Sequence, residues 1–587
     1  MKLWISALRL CFILGITLSP LSELRAQTTR YVSLDGSNDT AGGYASWSGA
    51  ATNIPNAITA AEDGDLILVS NGTYNLVEQI GTAYIDVPKS VTIRGFSANR
   101  EAVVINGGAA KQGFGFISAG CVGAVLERLT VSNCLGTLTG GGIVMQRDAY
   151  RAITITNVLI VNNRATRGGG AYISGATVTD CTFLNNVSPE GTSYNLSGGG
   201  AIYTPYGIFI NCQFIGNRAN IVYTNSATDG FGGAIMIREH RQGSTRMENC
   251  TFLHNYAERN GGAVYDACLD TNFPASIINC TIASNTAESI GGGVYVSSPS
   301  TETIAGGVIR DNISYVYGGG VMVVGTYFQM RNVELSGNRA PYGGGINMNA
   351  GGSNLIENCL IIGNQATNSG GGGVYLAASL NGPMLRNCTI ISNTAATTAG
   401  GVAAILGGRF INCLIAHNTA ATDGGGLYAQ RMYVAGGFVA NCTIVSNTAA
   451  TGGGVHFSTQ STSISNWFTN SIIYHNQSLS DPGRSDIWFN ANATIAAAQS
   501  NQFYYCCAPI ELPAANGNIT NEPGFVDRPA GNFRLAGGSP CINSGVNQDW
   551  MAEVSDLDGR LRRDRFSGLV DRGCYEHIAR GSLFSAH

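Results

Sequence analysis

The chain has little charge. Only 12% of its 587 residues are Asp, Glu, Lys or Arg, about half the usual share for a soluble protein, and the net charge is −4. Lysine is almost missing, since only Lys89 and Lys111 follow the extreme N-terminus. A protein that binds DNA or RNA needs a basic patch to neutralise phosphates, and this composition does not supply one. We therefore expect no nucleic-acid partner.

Long apolar segments are equally scarce. One runs from Leu10 through Leu18, after Lys2 and Arg9. It is too short and too early for a membrane anchor, and no later segment is apolar for long enough to span a bilayer. Leu24-Arg25-Ala26 suits a cleavage site before Gln27, as in a secretory signal peptide. The sequence therefore predicts an export signal over residues 1–26, no transmembrane segment, and a protein that is secreted or held at the cell surface.

What the chain has instead is a repeat. Asparagines recur about every 29 residues, which is typical of a solenoid. Most repeats carry one phrase, seen in Asn279-Cys280-Thr281-Ile282-Ala283-Ser284-Asn285 followed by Gly291-Gly292-Gly293-Val294-Tyr295. The thirteen recurring positions are Asn133, Asn163, Asn186, Asn217, Asn255, Asn285, Asn312, Asn338, Asn364, Asn393, Asn418, Asn447 and Asn476.

Within each repeat the apolar positions alternate with a period of two, which predicts strands. Three residues before the recurring Asn is an aliphatic residue or Phe in every repeat except that of Asn133, where Thr130 stands. The glycines precede a second short strand, because glycine adopts the positive backbone angles that a tight corner needs. Strand, corner and strand without a helix-length apolar run predict an all-β fold, a right-handed, single-stranded parallel β-helix.

In such a rod, equal positions stack in columns. The recurring asparagines are predicted to form a structural amide ladder at a bend. A second asparagine column lies six residues earlier, at ten of the thirteen positions. Its members include Asn211, Asn249, Asn279, Asn387 and Asn441. A catalytic site would need one unusual turn of the solenoid, whereas these columns repeat almost unchanged.

Fifteen cysteines follow the signal segment. Eight of them occupy one inward column, at Cys181, Cys212, Cys250, Cys280, Cys359, Cys388, Cys413 and Cys442. One thiol per turn without a nearby His or second Cys favours buried thiols over a zinc site, so no metal site is predicted there. Outside the repeats, Cys541 and Cys574 are the favoured disulfide partners, although spacing leaves the pairing open.

The ends of the chain differ from the repeats. Residues 54–61 suit a short helix, followed by the strand Leu66-Ile67-Leu68-Val69. A helix laid over the first turn would shield its open edge. We therefore divide the chain into the N-terminal cap and first turns at 27–110, the repeats at 111–480, and a loop-rich C-terminal cap at 481–587.

Segments of the chain resemble three known families. Tyr31-Val32-Ser33, residues 54–65 and Gly72-Thr73-Tyr74 resemble the opening of secreted bacterial β-helix proteins of the pectate-lyase-like type. Gly262-Ala263-Val264 and Phe252-Leu253-His254-Asn255 resemble the repeats of polymorphic outer membrane proteins. Ser539 to Gly545, Asp556 to Arg562 and Val570 to Glu576 resemble the choice-of-anchor Q module of bacterial surface proteins. The resemblance implies a fold and a surface location, but not a reaction.

One segment breaks the repeat and is the candidate catalytic patch. The step from Asn217 to Asn255, 38 residues, is the longest. A polysaccharide lyase needs a cation to neutralise a uronate and a base to remove the adjacent proton, whereas a glycoside hydrolase needs two carboxyl groups. Arg238 or Arg241 is the candidate cation; His240, His254 or Tyr256 the base; and Glu239 with Asp266 the acid pair. A solvated charged loop is the alternative interpretation.

A second candidate is a row of outward residues directly after the glycine corners. Tyrosines in such a row can stack on sugar rings, although tyrosine is also simply a good strand residue. The candidate substrate-binding residues are Tyr203, Tyr265, Tyr295, Tyr375 and Tyr428.

Two function classes fit these patterns. One is an adhesin-like, extracellular or cell-surface β-helix that binds polysaccharide or another surface, and the scarce charge and regular repeats favour it. The other is a lyase or hydrolase of pectate-lyase-like fold acting on acidic glycans at the catalytic patch. We expect a monomer without a cofactor, calcium being the one ion that the sequence leaves open, at Asp556-Leu557-Asp558-Gly559. A turn within the C-terminal cap is the favoured interpretation of that loop.

Overall fold

The structure is a computed structural model, and it describes residues 26–145, 152–188, 197–220, 229–238, 243–267, 270, 272–299, 301–377, 382–430, 437–458, 467–489, 491–552 and 554–577. In this part of the chain, short strands stack in parallel, in register, from one turn to the next. The predicted all-β parallel β-helix is thereby confirmed. The predicted export signal at 1–26 lies almost wholly outside the described residues.

The strands form four columns, which we number in the order the chain meets them after the glycine corner; the fourth column begins only at Val187. The first column contains Ile85–Asp86, Phe114–Phe116, Ile143–Met145, Ala171–Thr179, Ile202–Ile210, Ile235–Ile237, Val264–Asp266, Val294–Val296, Val321–Val323, Ile346–Met348, Val374–Leu376, Val402–Ala404, Leu427–Ala429, Val455–Phe457 and Ile487–Trp488. The second column contains Thr29–Val32, Leu66–Val69, Thr92–Gly95, Val125–Glu127, Thr154–Thr156, the second halves of Ala171–Thr179 and Ile202–Ile210, Arg246–Glu248, Ser276–Ile278, Thr303–Ala305, Gln329–Arg331, Leu355–Glu357, Met384–Arg386, Arg409–Ile411, Phe438–Ala440, Trp467–Thr469 and Phe503–Tyr504.

The third and fourth columns flank the recurring asparagine. The third contains Gly72–Asn75, Val103–Asn106, Thr130–Ser132, Leu159–Val161, Thr182–Leu184, Gln213–Ile215, Thr251–Leu253, Thr281–Ala283, Val308–Arg310, Glu334–Ser336, Leu360–Ile362, Thr389–Ile391, Leu414–Ala416, Thr443–Val445 and Ile472–Tyr474. The fourth contains Val187–Ser188, Arg218–Ala219, Tyr256–Ala257, Thr286–Ala287, Ile313–Ser314, Arg339–Ala340, Gln365–Ala366, Thr394–Ala395, Thr419–Ala420, Thr448–Ala449 and Gln477–Ser478.

The core runs along the inside of the columns. Equal inward positions stack on each other: the rings of Phe183 and Phe214 have centroids 5.1 Å apart, and those of Phe214 and Phe252 are 4.7 Å apart. The eight cysteines of the inward column are buried and free, as predicted. At the glycine corner, Gly291 has a φ of +70°, and an added Cβ there would meet Tyr295. Only glycine fits this corner without strain.

The amide ladder is confirmed. Each buried asparagine donates through its backbone N–H and its side-chain Nδ2 to the Oδ1 of the asparagine one turn on, as Asn312 does to Asn338 at 3.1 and 3.0 Å. The same Nδ2 donates to a carbonyl on the previous turn, as Asn338 does to Ile309 at 2.8 Å. Because these groups are buried, each hydrogen bond replaces the one to water that the polar atom loses on folding, and so offsets the free energy of desolvation.

The structure corrects the start of the ladder. Asn133 has a φ of +51° and lies partly in solvent, at the corner one residue before the ladder position. Cys134 occupies that position, and its N–H donates to Asn163 Oδ1 at 2.9 Å. The ladder therefore begins at Asn163, and the inward residue of that turn is Val131 instead of Thr130.

The ladder ends on a carboxylate. Asn476 donates its N–H and Nδ2 to Asp486 Oδ1 at 2.9 and 2.8 Å. Burial raises the pKa of Asp486 from 3.8 to about 6, against the hydrogen bonds from Asn476, which lower it. Because the carboxyl pKa is higher in the folded state, the stability it confers is complete below pH 3.8 and is lost as the pH rises through about 6.

We expect Asp486→Asn to remove this pH dependence, because the amide keeps an acceptor oxygen and carries no charge. The measurement is the thermal unfolding temperature of both proteins from about pH 4 to about pH 8. The half-exposed Asp481, which caps the following short helix, gives the matched control Asp481→Asn. Parallel pH curves for wild type and Asp486→Asn would contradict the prediction.

Helices are confined to the ends in the described residues. The α-helices are α1 at Ile54–Ala60, α2 at Leu76–Gln79 and α3 at Ala493–Ser500. The short 3₁₀ helices are Arg100–Ala102, Ala119–Cys121, Pro482–Arg484, Ala514–Asn516 and Asp549–Ala552. Helix α1 buries Ile54, Ala57 and Ile58 and packs against the first strands, as predicted. None of the described helices has the length and apolarity to cross a bilayer.

The C-terminal cap folds back along the third column. Leu414, Ala416 and Val445, which face outward there, pack against Phe533 of the antiparallel hairpin Phe525–Asp527 and Asn532–Leu535. Cys574 lies in this same cluster, whereas Cys541 packs with Cys507 in another. Both cysteines are free in the structure, so the favoured Cys541–Cys574 pairing is wrong.

Candidate functional site

The outward row after the glycine corners forms as predicted. Strand pairing places its members directly above one another, and we call them the aromatic row: Tyr172, Tyr203, Met236, Tyr265, Tyr295, Met322, Asn347, Tyr375, Ala403, Tyr428, His456 and Trp488. The alignment follows from the constant distance between each glycine corner and the strand it begins.

The N-terminal half of the aromatic row is buried. Tyr203 is 1% exposed and Tyr265 is 7% exposed. Their ring faces are covered: Tyr203 stacks on Tyr172 at 5.6 Å, and Tyr265 lies between Phe231 at 4.5 Å and Tyr295 at 4.9 Å. Burial raises the pKa of Tyr265 to about 12. The expected exposure of the row is therefore wrong at Tyr203 and Tyr265, whose faces stack on protein rings.

The C-terminal half reaches solvent. Tyr295, Tyr375 and Tyr428 are all partly exposed. Two tyrosines that the sequence reasoning missed, Tyr317 and Tyr342, immediately precede glycine corners and are also partly exposed. Both belong to the sequence motif Tyr-Gly-Gly-Gly, which could have identified them from the sequence.

Tyr317, Tyr342 and Tyr375 form one cluster, which we call the tyrosine patch. The ring centroids of Tyr317 and Tyr342 are 5.1 Å apart with planes at 50°, and those of Tyr342 and Tyr375 are 5.7 Å apart at 79°. Tilted rings leave more of their faces uncovered than the parallel stacks do. Burial, and next the neighbouring Tyr342, raises the pKa of Tyr375, so its phenol stays protonated and can donate a hydrogen bond.

The predicted catalytic patch is described only in part. Glu239, His240 and Arg241 lie outside the described residues. Arg238 directly follows the first-column strand Ile235–Ile237 and is partly buried; its N–H donates to the Thr204 carbonyl at 3.1 Å. The Arg238 charge partly offsets the burial that raises the pKa of Tyr265, which places the guanidinium near the aromatic row.

Asp266 lies on the inward face of the rod. It is the third residue of Val264–Asp266 and pairs in register with Ile237 and Val296. Its side chain is 3% exposed. Val264 already points inward, so the period of two places Asp266 inward as well. This position separates Asp266 from any polymer bound on the outer surface.

His254 and Tyr256 lie at a different corner from Arg238, beyond the third column. His254 is exposed with a φ of +56°. Tyr256 has the Arg218 guanidinium 4.3 Å from its ring centre, and its hydroxyl bonds to Glu288 at 3.0 Å. Burial, and next this bond, raises the pKa of Tyr256 to about 12, which makes it a poor general base near neutral pH. The described members of the patch therefore do not converge on one point.

The described residues contain no group of three or more His, Cys, Asp or Glu placed to hold a metal ion. The Asp556 loop is a turn, as favoured above: Asp556 Oδ1 accepts from the N–H groups of Asp558 and Arg560 at 2.9 and 2.7 Å. Its other oxygen accepts from the Glu576 N–H at 2.7 Å. These bonds use the carboxylate to hold the cap together.

Comparisons with known proteins support the fold. Residues 267–428 match the family model described as right handed beta helix region, and residues 180–205 match the Chlamydia polymorphic membrane protein repeat. The comparison with curated proteins gives no match. The predicted right-handed β-helix and its repeat type are thus confirmed over these ranges.

Several solved structures are similar at low identity. Tailspike protein 3 of bacteriophage CBA120 is 12% identical with a TM-score of 0.34, over 73% of this chain and 56% of the tailspike chain. A mannuronic acid specific family 6 polysaccharide lyase from human gut microbiota is 11% identical with a TM-score of 0.35, over 76% of this chain and 86% of the lyase. Pectate lyase Pel9A is 14% identical with a TM-score of 0.18, over 94% and 98%. Similarities this weak carry no argument about activity.

Proposed function

We propose that this protein is an extracellular or cell-surface β-helix that binds polysaccharide or another surface, in the manner of an adhesin, through the tyrosine patch. The observation that carries the proposal is the cluster of three tilted, partly exposed rings on one side of a rigid rod. Aromatic rings supply the apolar contact that sugar rings require, while their hydroxyls donate hydrogen bonds. Tyr295 and Tyr428 extend this surface along the rod.

The location is part of the same proposal. The apolar segment near the N-terminus has the properties of an export signal, and one repeat matches those of a polymorphic membrane protein family. The C-terminal segments that resemble the choice-of-anchor Q module would then attach or present the rod. We propose that the rod acts as a monomer, because helix α1 covers the first strands and Leu512, after the last strand, joins the core at the other end.

The first prediction concerns the tyrosine patch. We expect the triple variant Tyr317→Ala/Tyr342→Ala/Tyr375→Ala to lose about tenfold or more in affinity for any polysaccharide that the wild type binds, because aromatic anchors dominate such contacts. A glycan array identifies the ligand, and calorimetry then measures its affinity. Tyr327, 50% exposed on a different loop, provides the matched control Tyr327→Ala.

The same experiment separates binding from catalysis. Products of each incubation, with and without calcium, are analysed by mass spectrometry. Unsaturated fragments would identify a lyase and hydrated fragments a hydrolase, and Arg241 and His254 would then be the residues to substitute. Retention of an uncut polymer by the wild type, and loss of retention in the triple variant, supports the binding proposal; equal retention by both proteins would refute the role of the tyrosine patch.

A further inference from the structure

A second concave surface lies where the C-terminal cap meets the rod, on a different face from the tyrosine patch. It has a volume of about 840 Å³, within the range of sites that hold small ligands. We call it the rod–cap cleft. Its walls include Glu357, Asn358, Arg386, Asn387, Arg534 and Tyr575.

The cap is held to the rod by the second asparagine column. Asn412 Nδ2 donates to the Ser555 carbonyl at 2.8 Å, and Asn441 Nδ2 to the Asp571 carbonyl at 3.1 Å. One turn further, Asn470 Nδ2 donates to the Val546 carbonyl at 2.9 Å. On three successive turns, the asparagine of this column thus donates its side-chain amide to a backbone carbonyl of the C-terminal cap.

The column continues into the cleft, where its amide groups make no described hydrogen bond to the cap. Asn387 and Asn358 are its next two members, both with a φ of +53°. Asn387 Oδ1 accepts from Asn412 at 3.1 Å, but within the described residues neither Asn387 nor Asn358 has an acceptor for its amide nitrogen. Both residues line the cleft, so their amide donors are available to a ligand there.

The charged walls of the cleft are already paired. Arg386 Nε donates to Glu357 Oε1 at 2.6 Å, and Arg331 contributes a further contact to Glu357 at 3.4 Å. Across the cleft, both nitrogens of the Arg534 fork bond to Asp558, at 2.5 and 2.7 Å. The Arg534 guanidinium also lies 4.8 Å from the centre of the Tyr575 ring.

This pairing leaves the cleft with many hydrogen-bonding groups and little uncompensated charge. An acidic ligand would have to displace a carboxylate from one of the arginines, at a cost in lost ion pairing. A neutral ligand with many hydroxyls could accept from the asparagine amides and arginines and donate to Glu357 and Asp558. The amides repeat once per turn, about every 4.8 Å along the rod, which matches a ligand built of similar repeating units.

We propose that the rod–cap cleft binds a segment of a neutral oligosaccharide, with Asn358 and Asn387 donating to its oxygens on adjacent turns. This site is separate from the tyrosine patch. Its ligand crosses the turns next to the cap and continues the contacts that the cap itself makes with the second asparagine column.

The test uses the double variant Asn358→Asp/Asn387→Asp in the full chain. Aspartate has nearly the size of asparagine and tolerates the left-handed backbone, so the fold is kept while the amide donors are removed. We expect about a tenfold or greater loss of affinity for short neutral oligosaccharides of glucose, mannose, galactose and xylose, the loss expected for two hydrogen bonds. Calorimetry at low and high sodium chloride measures it.

The control is Asn249→Asp, at an exposed member of the same column with the same φ of +53° but far from the cap. It should bind like the wild type, and the affinity of the wild type should change little with salt. Equal affinity of the double variant, absence of wild-type binding to every neutral oligosaccharide, or salt-sensitive binding of acidic ones alone would each overturn the proposal. The tyrosine triple variant should keep this binding, so the two proposals fail independently.

Discussion

Replacing one ladder asparagine is expected to destabilise the rod by about 4 kcal/mol or more. In Asn338→Ala, the Asn312 N–H and amide lose their acceptor and the Ile309 carbonyl loses its donor. All of these groups lie in the buried bend, and each buried polar group left unsatisfied costs about 1–3 kcal/mol. The missing side-chain volume adds a cavity in a column that cannot collapse without breaking register.

The measurement is hydrogen exchange of the strand amides of the turns around Asn338, combined with urea unfolding of the whole chain. Local exchange is needed because solenoids unfold in segments, so one global unfolding energy is poorly defined. The matched control is Asn332→Ala on the same turn, where the asparagine is exposed with a φ of +55°. That change should cost only about 1 kcal/mol of backbone strain. Equal effects of the two substitutions would show that the ladder bonds contribute little.

The second large effect is expected in the C-terminal cap. Arg562 is fully buried; its Nη2 pairs with Glu576 at 2.8 Å and donates to the carbonyls of Asp571 and Gly573. Arg562→Met would leave Glu576 as a buried carboxylate without its cation, beside the buried Asp556 and Asp571. Breaking such a pair costs about 3–5 kcal/mol. We expect the cap to separate from the third column above about pH 8, where wild-type Glu576 is ionised and paired with Arg562.

The pH dependence of this effect has a definite sign. Burial raises the pKa of Glu576 from 4.5 to about 8, although Arg562 lowers it. A carboxyl with a raised folded pKa gives its full stability below pH 4.5 and loses it as the pH rises through about 8. Without Arg562 the pKa rises further, so acidification, which protonates Glu576, should restore the cap of the variant.

Limited proteolysis in the cap measures this release, because Phe566 offers an exposed cleavage point in both proteins. The double variant Arg562→Met/Glu576→Gln should resist proteolysis above about pH 8, since it buries no unpaired charge. The control Arg563→Met removes a partly buried arginine that donates to the Gln548 carbonyl at 3.2 Å. A cap that stays protected in Arg562→Met well above pH 8 would contradict the expected role of the pair.

The sequence was sufficient to predict the rod because its fold rests on local periodicity. Each structural feature of a turn is determined by residues within that turn, and the same features recur in the next. Examples are the period of two at Cys280 and Ile282, the glycine corner at Gly291 and the ladder position at Asn285. The error at Asn133 has a local cause as well. Neighbouring turns carry Asn-Asn, one at the corner and one in the ladder, as Asn162 and Asn163 do. Where only one asparagine remains, spacing does not tell which position it holds.

The candidate sites were less predictable because they depend on what lies beside the rod. Tyr203 points outward by period, yet neighbouring rings bury it, and pairing between turns decides that burial. Contacts between Cys541 and Cys507, or between Asn412 and Ser555, join segments far apart in the chain. The burial of Asp266, in contrast, was predictable from the sequence, because a period of two places it on the same inward face as Val264.

The ladder also has a polarity. From Asn186 to Asn447, each ladder asparagine donates two hydrogen bonds to the asparagine of the following turn and accepts two from that of the preceding turn. Any turn can therefore follow any other through the same bonds, and only Asp486 is specific to its place. Duplication or deletion of one repeat therefore leaves the pattern of ladder hydrogen bonds unchanged. The length of the rod, and the reach of whatever it presents, can thus change between related chains in steps of one turn.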